Sequence, residues 1–154
     1  MISLSKTTNF RQSLGKMGES VAQDFLISQA WAIDARNYYV HRRGEIDIIG
    51  RPPTGQVLAF IEVKTRQLRA QRGLDHPGQQ SLHWAKQRRM SRAALSYLRD
   101  PAVANRPSIL RFDLILVDIR LNYKDLKELL LLRDVQALKP HCLVTHLTNI
   151  MGTF

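Results

Sequence analysis

The chain contains two short stretches that decide its fold, GEIDII at residues 44–49 and FIEVKTR at residues 60–66. Both alternate polar and apolar residues, which is the period of a β-strand whose successive side chains point to opposite faces. Residues 51–55 lie between them and include two prolines and a glycine, which favour a turn. We therefore predict a β-hairpin with strands at residues 45–49 and 57–65.

The polar residues of this hairpin fall on one face of each strand. Glu45 and Asp47 share a face of the first strand, and Glu62 and Lys64 share a face of the second. The opposite faces are apolar and are expected to meet the core; they carry Ile46, Ile48, Ile61 and Val63. Charged side chains inside an apolar hairpin are costly unless something pairs them. The pattern therefore predicts a functional site, with an ion-pair network that stabilises the hairpin as the alternative.

The two strand carboxylates, Asp47 and Glu62, are candidates for an oxygen site that holds a hard cation such as Mg²⁺. A metal there polarises a phosphoryl oxygen and lowers the pKa of a bound water, and the ammonium of Lys64 could orient that water. Glu19, beside the apolar stripe of the first predicted helix, is either a further ligand or base, or a surface acid. Glu45 is either a ligand or a hydrogen-bond anchor for the turn. Such groups are what phosphodiester hydrolysis requires.

The remaining patterns predict a mixed α/β fold. Apolar residues recur at helical spacing in some segments and form β-type runs in others. These patterns predict helices at residues 14–29 and 82–99, an extended segment at 30–39, a strand at 109–119, and a tail with a helix at 124–138 and a strand at 143–150. Residues 67–79 contain Gly and Pro and are predicted to form a loop. The order of these elements favours a central mixed sheet flanked by helices.

The charge balance points to a polyanionic partner. The 154 residues include 23 Lys and Arg against 13 Asp and Glu, which is a formal net charge of +10. Eight basic residues and one acid lie between Lys64 and Arg92, so much of the excess is concentrated in one segment. Nucleic acid and an anionic membrane surface both fit this charge. The longest apolar run, residues 129–132, is far too short to cross a bilayer, and no membrane role is expected.

Part of this basic segment is predicted to bind nucleic-acid phosphates. The predicted residues are Arg66, and Lys86, Arg89 and Arg92 on one flank of the second helix. A solvated helix flank is the alternative for the last three.

Other polar residues are expected to be structural. Asp113 is expected to pair with an arginine such as Arg36 and so to support the site without reacting. The lone histidines His76, His83 and His146 lack metal-ligand spacing, and we expect them in loops or on the surface.

The chain is expected to form one domain, residues 13–120, with a flexible N-terminus at residues 1–12. Residues 121–154 are expected to form a C-terminal extension that packs on or near this domain. A single cysteine, Cys142, excludes an intramolecular disulfide and fits a cytoplasmic protein. A homodimer is a further expectation, since two sites cut two strands more easily than one.

Taken in chain order, these residues resemble a known family. The matching pieces are Gly18-Glu19 with Ala22 and Phe25-Leu26, Arg36-Asn37, residues 44–49 and 60–66, Lys86-Gln87 with Arg89, Ala94, Tyr97-Leu98 and residues 111–113. This set, which runs from about Gly15 to Val117, is similar to the YraN-like family of uncharacterised bacterial proteins that are regarded as endonucleases. The Asp and Glu-x-Lys arrangement on the hairpin also resembles the wider PD-(D/E)XK superfamily.

The resemblance implies a restriction-endonuclease-like fold and a metal-dependent endonuclease, with DNA as the expected nucleic acid. It implies that Asp47, Glu62 and the carbonyl of Val63 bind Mg²⁺, or alternatively Mn²⁺. Lys64 would be the catalytic lysine. Glu19 resembles the first-helix acid of archaeal Holliday junction resolvases.

The chain departs from the superfamily pattern in two places. Ile46 stands where the superfamily often has a proline, and residues 121–154 match poorly. Two other functions therefore stay open beside the nuclease. One is a non-catalytic nucleic-acid-binding module on the same fold, and the other is an interaction protein whose basic charge keeps it soluble.

Overall fold

The computed structural model describes residues 2–42, 44–68, 84–103 and 109–151 of the chain. Most of the loop predicted at residues 67–79 lies outside the described residues, as do His76 and His83. The expectations for that loop and for these two histidines therefore stay predictions.

A mixed β-sheet forms the centre of the described structure, with the strands in the order β1-β2-β3-β4-β5. The strands are β1 (Ala32–Val40), β2 (Gly44–Arg51), β3 (Val57–Gln67), β4 (Ile109–Ile119) and β5 (Cys142–Leu147). The β1–β2, β2–β3 and β4–β5 pairs are antiparallel, whereas β3 and β4 are parallel.

Helices cover both faces of this sheet. They are α1 (Ile2–Ser28), α2 (Trp84–Arg99), α3 (Tyr123–Leu132) and α4 (Val135–Leu138), the last followed by a 3-10 turn at Lys139–His141. α2 lies in the connection from β3 to β4, since parallel neighbours need a crossover of this kind. Over the described residues, none of the helices has both the length and the apolar character that a membrane crossing requires.

Two buried apolar clusters lie on opposite faces of the sheet. β3 contributes Ala59 and Ile61 to one cluster and Leu58 and Phe60 to the other, as alternation in a strand requires. The first cluster packs against α1, α3 and α4, and we call it the α1-face core. The second packs against α2 through Met90, and we call it the α2-face core.

The fold class predicted from the sequence is confirmed. The described structure is a mixed sheet flanked by helices, which is consistent with an α/β nuclease-like fold. β4 spans the predicted residues 109–119, and the predicted hairpin is formed by β2 and β3, each slightly longer than expected. β4 and the hairpin could be predicted well because their sequence patterns depend only on residues close together in the chain.

The amino-terminal segment differs from expectation. α1 begins at Ile2, well before the predicted start at residue 14, whereas the expected flexibility of residues 1–12 stays a prediction. Phe10 packs against the α1-face core, and its ring centroid lies 5.1 Å from that of Tyr123 in α3. The helix starts early because it meets an element far along the chain, and no local pattern records such a contact.

The carboxy-terminal segment contributes a strand and two helices that pack on the rest of the described structure. β5 pairs with β4 from Leu114↔Leu147 to Ile119↔Cys142 and so completes the sheet. Leu126 of α3 and Leu138 of α4 are fully buried in the α1-face core. The elements of residues 121–151 therefore belong to the same hydrophobic core as α1 and β3.

Candidate active site

β2 and β3 separate next to Asp47. The last ladder pair before this point is Ile48↔Ile61. At the next position of β2, Asp47 Oδ2 accepts a 2.8 Å hydrogen bond from the backbone N–H of Val63. The side chain of Asp47 thus accepts a backbone hydrogen bond from the neighbouring strand, and this bond holds its carboxyl group between the two strands.

The regular alternation of β2 breaks at the same residue. We predicted that Ile46 and Ile48 share a face; this is wrong, because Ile48 lies in the α1-face core and Ile46 in the α2-face core. On β1, Asn37 lies between the partners of Ile48 and Ile46 and has a left-handed φ of 49°, a conformation that a short polar residue tolerates. Backbone irregularities of this kind cluster at functional sites.

A cleft of about 250 Å³ lies between the sheet and α2, and we call it the acidic cleft. It is lined by Tyr39, Gly44, Glu45, Asp47, Glu62, Lys86, Arg89 and Met90. Three acids from two strands therefore face two cations from one helix. The structure brings together Glu45, Asp47 and Glu62, as strand alternation suggested, although the alternation itself is broken at Asp47.

α2 comes close enough to the sheet to supply these cations because residue 44 is glycine. A Cβ atom on Gly44 would lie 2.8 Å from the carbonyl oxygen of Arg89, and the φ of Gly44 is +132°. Lys86, one helical turn before Arg89, forms an ion pair with Glu62, a residue that is only 4% exposed. Lys86, predicted from sequence to bind phosphates, thus supplies the counter-charge for a buried carboxylate.

The environment of Asp47 favours its protonated form. Burial raises the pKa of Asp47 to about 8, and the neighbouring charge of Glu62 acts in the same direction. The hydrogen bond from the N–H of Val63 opposes this shift. Ionising both carboxyl groups is unfavourable because the two negative charges repel each other. A bound divalent cation would reduce this repulsion.

α1 brings Glu19 to the same group of acids. Gly18 packs so closely on β3 that a Cβ atom there would lie 1.7 Å from Thr65 Oγ1. Burial raises the pKa of Glu19, while the charge of Arg36, 3.9 Å away, lowers it and that of Glu45 raises it. Glu19 is therefore electrostatically part of the acid group, although it lines the neighbouring cleft and not the acidic cleft.

Lys64 does not line the acidic cleft, but it interacts electrostatically with Glu62 and Lys86, which do. Burial lowers its pKa, the charge of Lys86 lowers it further, and the charge of Glu62 opposes the shift. A lysine with a lowered pKa exchanges protons more readily near neutral pH than an ordinary one.

Asp47 and Glu62 are the side chains of the acidic cleft that could take part in holding a metal ion. Among the described residues, no three His, Cys, Asp or Glu side chains converge closely enough to hold a metal ion. Asp47 and Glu62 therefore offer two carboxylates at most. Mg²⁺ is usually bound by one or two carboxylates together with waters and substrate phosphates, whereas a closed all-protein cage is unusual for it.

Two of the predicted phosphate-binding residues lie away from the acidic cleft. Arg66 forms two hydrogen bonds to Asp118, of 2.8 and 3.1 Å, and Asp118 is 1% exposed. Arg92 and Arg88 line a separate cavity of about 550 Å³. The predicted basic flank of α2 thus divides between this cavity and the acidic cleft.

Asp113 lies in a buried hydrogen-bond network. It accepts two hydrogen bonds of 2.9 Å from Arg111 and one of 3.0 Å from the N–H of Asn149, and it lies 2.8 Å from His146 Nε2. Burial alone would raise the pKa of Asp113, but the hydrogen bonds from His146 and Arg111 outweigh it and lower that pKa. The network joins β4 to β5.

Two expectations about this network are corrected. The arginine that pairs with Asp113 is Arg111 and not Arg36, because residues two apart on a strand share a face; that spacing could have identified the pair from sequence. His146 is neither in a loop nor at the surface, since it lies on β5 with its ring 5.5 Å from that of Trp31.

Comparison with known proteins leads to an uncharacterised family. A model described as "Uncharacterised protein family UPF0102" matches residues 18–117. A UPF0102 protein from Desulfosudis oleivorans is 40% identical over 118 residues, which cover 77% of this chain and 89% of the relative. One from Chlorobaculum tepidum is 44% identical over 112 residues, covering 71% and 78%. One from Clostridium tetani is 35% identical over 126 residues, covering 82% and 95%. None of these names states an activity.

Proposed function

The chain belongs to the uncharacterised protein family UPF0102, and we propose that it is a metal-dependent endonuclease that hydrolyses nucleic-acid phosphodiester bonds, with DNA as the expected substrate. The observation that carries this proposal is the pair of carboxyl groups, Asp47 and Glu62, at the point where β2 and β3 separate. Glu62 is buried and Asp47 is partly buried, and two carboxylates this close cost stability unless nearby positive charge compensates them. A hard cation suits these carboxylates, and a phosphate would bind through that cation and the neighbouring Lys86 and Arg89.

The chemistry of the cleft follows from its own residues. Asp47 and Glu62 would hold Mg²⁺ or Mn²⁺, which supplies a Lewis acid for a phosphoryl oxygen and an acidified water when bound. Lys64 would orient the attacking water or stabilise the charge that develops on phosphorus. Lys86 balances the charge of Glu62. The resemblance implies that the carbonyl of Val63 is a further ligand. The hydrogen bond that the backbone N–H of Val63 donates to Asp47 holds this residue in place.

The charge of the whole chain supports a polyanionic substrate. The formal net charge is +10, and Arg89 contributes a second cation to the acidic cleft beside Lys86. A cytoplasmic location and a homodimer accompany this proposal as expectations.

Purified protein incubated with single-stranded, duplex and branched DNA, and with RNA, tests the proposal in the presence of Mg²⁺ or Mn²⁺. Asp47→Asn and Glu62→Gln keep the shape of each side chain but prevent it from ionising. We expect each to slow cleavage by about 100-fold or more, as loss of a central electrostatic group does. Glu128→Gln, which removes one carboxylate from the exposed face of α3, is the matched control and should cut normally.

The outcomes separate the three functions. Cleavage that Asp47→Asn and Glu62→Gln retain would contradict the proposed site. Binding without cleavage, weakening as salt is raised, would favour the non-catalytic module. Absence of binding even at low salt would favour the interaction protein.

A further inference from the structure

A second and larger cleft, of about 910 Å³, adjoins the acidic cleft. It lies between α1 and β1, and we call it the α1–β1 cleft. Glu45 lines both clefts, so they meet at that residue. Glu19 lines the second cleft and interacts electrostatically with Glu45 and Glu62. The two clefts therefore share Glu45 as a common wall.

The sizes of the two clefts suit different parts of one ligand. Sites for small organic ligands usually measure roughly 300–1,000 Å³. The acidic cleft, at about 250 Å³, falls below this range and suits a phosphate group with its immediate partners. The α1–β1 cleft, at about 910 Å³, has room for the nucleotides that follow such a phosphate along a strand.

The cations of the α1–β1 cleft are placed for a polyanion. Arg11 and Lys16 line it from the exposed side of α1, and Arg36 lines it from β1. At a rise of about 1.5 Å per residue, Arg11 lies roughly 12 Å along the helix from Glu19. Successive nucleotides of a duplex strand advance about 3.4 Å, so this distance corresponds to roughly three or four nucleotides.

The polar groups at the junction of the clefts leave Arg36 available to an anion. Its guanidinium lies 3.9 Å from Glu19, which is longer than a hydrogen bond, and its side chain is 33% exposed. A guanidinium has five N–H donors in a fork that matches phosphate. Asn37, held with its left-handed backbone beside Arg36, hydrogen-bonds Glu19 and so restrains that acid.

We propose that the α1–β1 cleft binds the sugar-phosphate backbone of the nucleic-acid strand next to the bond held at Asp47 and Glu62, with Arg11, Lys16 and Arg36 contacting its phosphates. This inference rests on the proposed function for the identity of the ligand. It adds a binding surface on α1 and β1 to the flank of α2 that the sequence alone indicated.

Charge removal gives the first test. The double variant Arg11→Gln/Lys16→Gln is compared with Lys124→Gln/Lys127→Gln, which removes the same charge from exposed positions at α3. Fluorescence anisotropy with labelled single-stranded and duplex DNA, in EDTA, measures binding without cleavage. We expect the first variant to bind at least about tenfold more weakly and to lower the slope of log K against log salt by about 1.4–1.8, whereas the control changes little.

Filling the cleft gives the second test, with all its cations kept. A Cβ atom on Gly15 meets no atom within 4 Å, so a side chain added there starts in open space beside the cleft that Gly15 lines. Gly15→Trp should weaken DNA binding in EDTA by at least about fivefold, while Gly15→Ala should leave it unchanged. Both variants should fold, because replacing a glycine inside a helix favours the helix.

The results distinguish this inference from the proposed function. Weakened binding by the cleft variants supports the inference whether or not the protein cleaves DNA. Equal affinities of the cleft variants and their controls overturn it, even if cleavage depends on Asp47 and Glu62. Failure of the unaltered protein to bind DNA at low salt overturns it as well.

Discussion

Asp47 is the residue on which the candidate site depends. Its carboxyl group lies where β2 leaves β3, accepts the N–H of Val63 and shares a cleft with Glu62. Burial and the neighbouring charge of Glu62 make ionisation of Asp47 unfavourable. Keeping this carboxyl group at the cleft lowers the stability of the folded protein. Such local losses of stability are common at sites that bind ligands.

This property of Asp47 predicts how the stability of the protein responds to pH in EDTA. The pKa of Asp47 is about 8 in the folded protein, against 3.8 for the ordinary carboxyl group. Between these values the folded state holds a proton that the unfolded chain has lost, so Asp47 lowers the free energy of unfolding as pH rises. Asp47→Asn stays neutral, and its melting temperature relative to the unaltered protein should therefore rise from pH 5 to pH 8.

Thermal unfolding monitored by circular dichroism at several pH values checks this. Asp24→Asn, which removes a carboxylate paired with Lys139 outside the cleft, is the control and should show a nearly constant difference. A constant difference for Asp47→Asn as well would contradict the assignment of its environment.

At the scale of elements, two glycines let helices approach the sheet and so assemble the site. Gly18 lets α1 lie on β3 at Thr65, which places Glu19 beside the acids. Gly44 lets α2 lie on β2 at Arg89, which places Lys86 on Glu62. At both points the sheet and the helix meet at a glycine, and the absence of a Cβ atom there lets the two layers approach closely.

The α1–β3 contact gives a stability prediction. Gly18→Ala would place a Cβ atom 1.7 Å from Thr65 Oγ1 and should reduce the free energy of unfolding by about 2 kcal/mol, as overpacking does, despite the gain in helix propensity. Thr65→Ala alone should cost little, because Thr65 Oγ1 is buried with no hydrogen-bond partner among the described residues.

A double-mutant cycle measured by urea unfolding tests the contact. Adding Thr65→Ala to Gly18→Ala should recover part of the lost free energy, which is a coupling between neighbours. Strict additivity of the two changes would show that α1 and β3 do not touch as described.

At the scale of the molecule, the family match and the folding unit have different extents. The family model covers residues 18–117. The elements β5, α3 and α4 lie outside this range, yet β5 pairs with β4, and α3 and α4 bury leucines in the α1-face core. The Asp113 network also crosses from β4 to β5, through His146 and Asn149. The C-terminal segment is therefore needed to satisfy buried polar and apolar groups of the matched region.

Truncation tests this view of the folding unit. A chain that ends at Arg120 would leave Asp113 without His146 and Asn149 and would expose the buried edge of β4, so we expect it to lose cooperative unfolding. A chain that ends at Met151 keeps every described helix and strand and should unfold cooperatively. A cooperative transition for the shorter chain, seen by near-ultraviolet circular dichroism and urea unfolding, would show that β5 is dispensable.

Sequence alone determined the hairpin, the second helix and β4, because period, turn residues and apolar runs act over a few neighbouring positions. It also predicted the acids and the lysine of the candidate site, through strand alternation at Glu62 and Lys64 and the ordered resemblance around Asp47; their roles stay predictions. The predicted alternation failed at Asp47 itself, since the break depends on how β1, β2 and β3 meet.

Only the tertiary structure decided how that site is completed. Lys86 reaches Glu62 across 24 positions of sequence, and His146 reaches Asp113 across 33. The early start of α1 likewise depends on Phe10 meeting α3. These contacts join residues that are neighbours in space and not in the chain, and their energies are set by burial and by the distance between layers. No local period encodes either quantity.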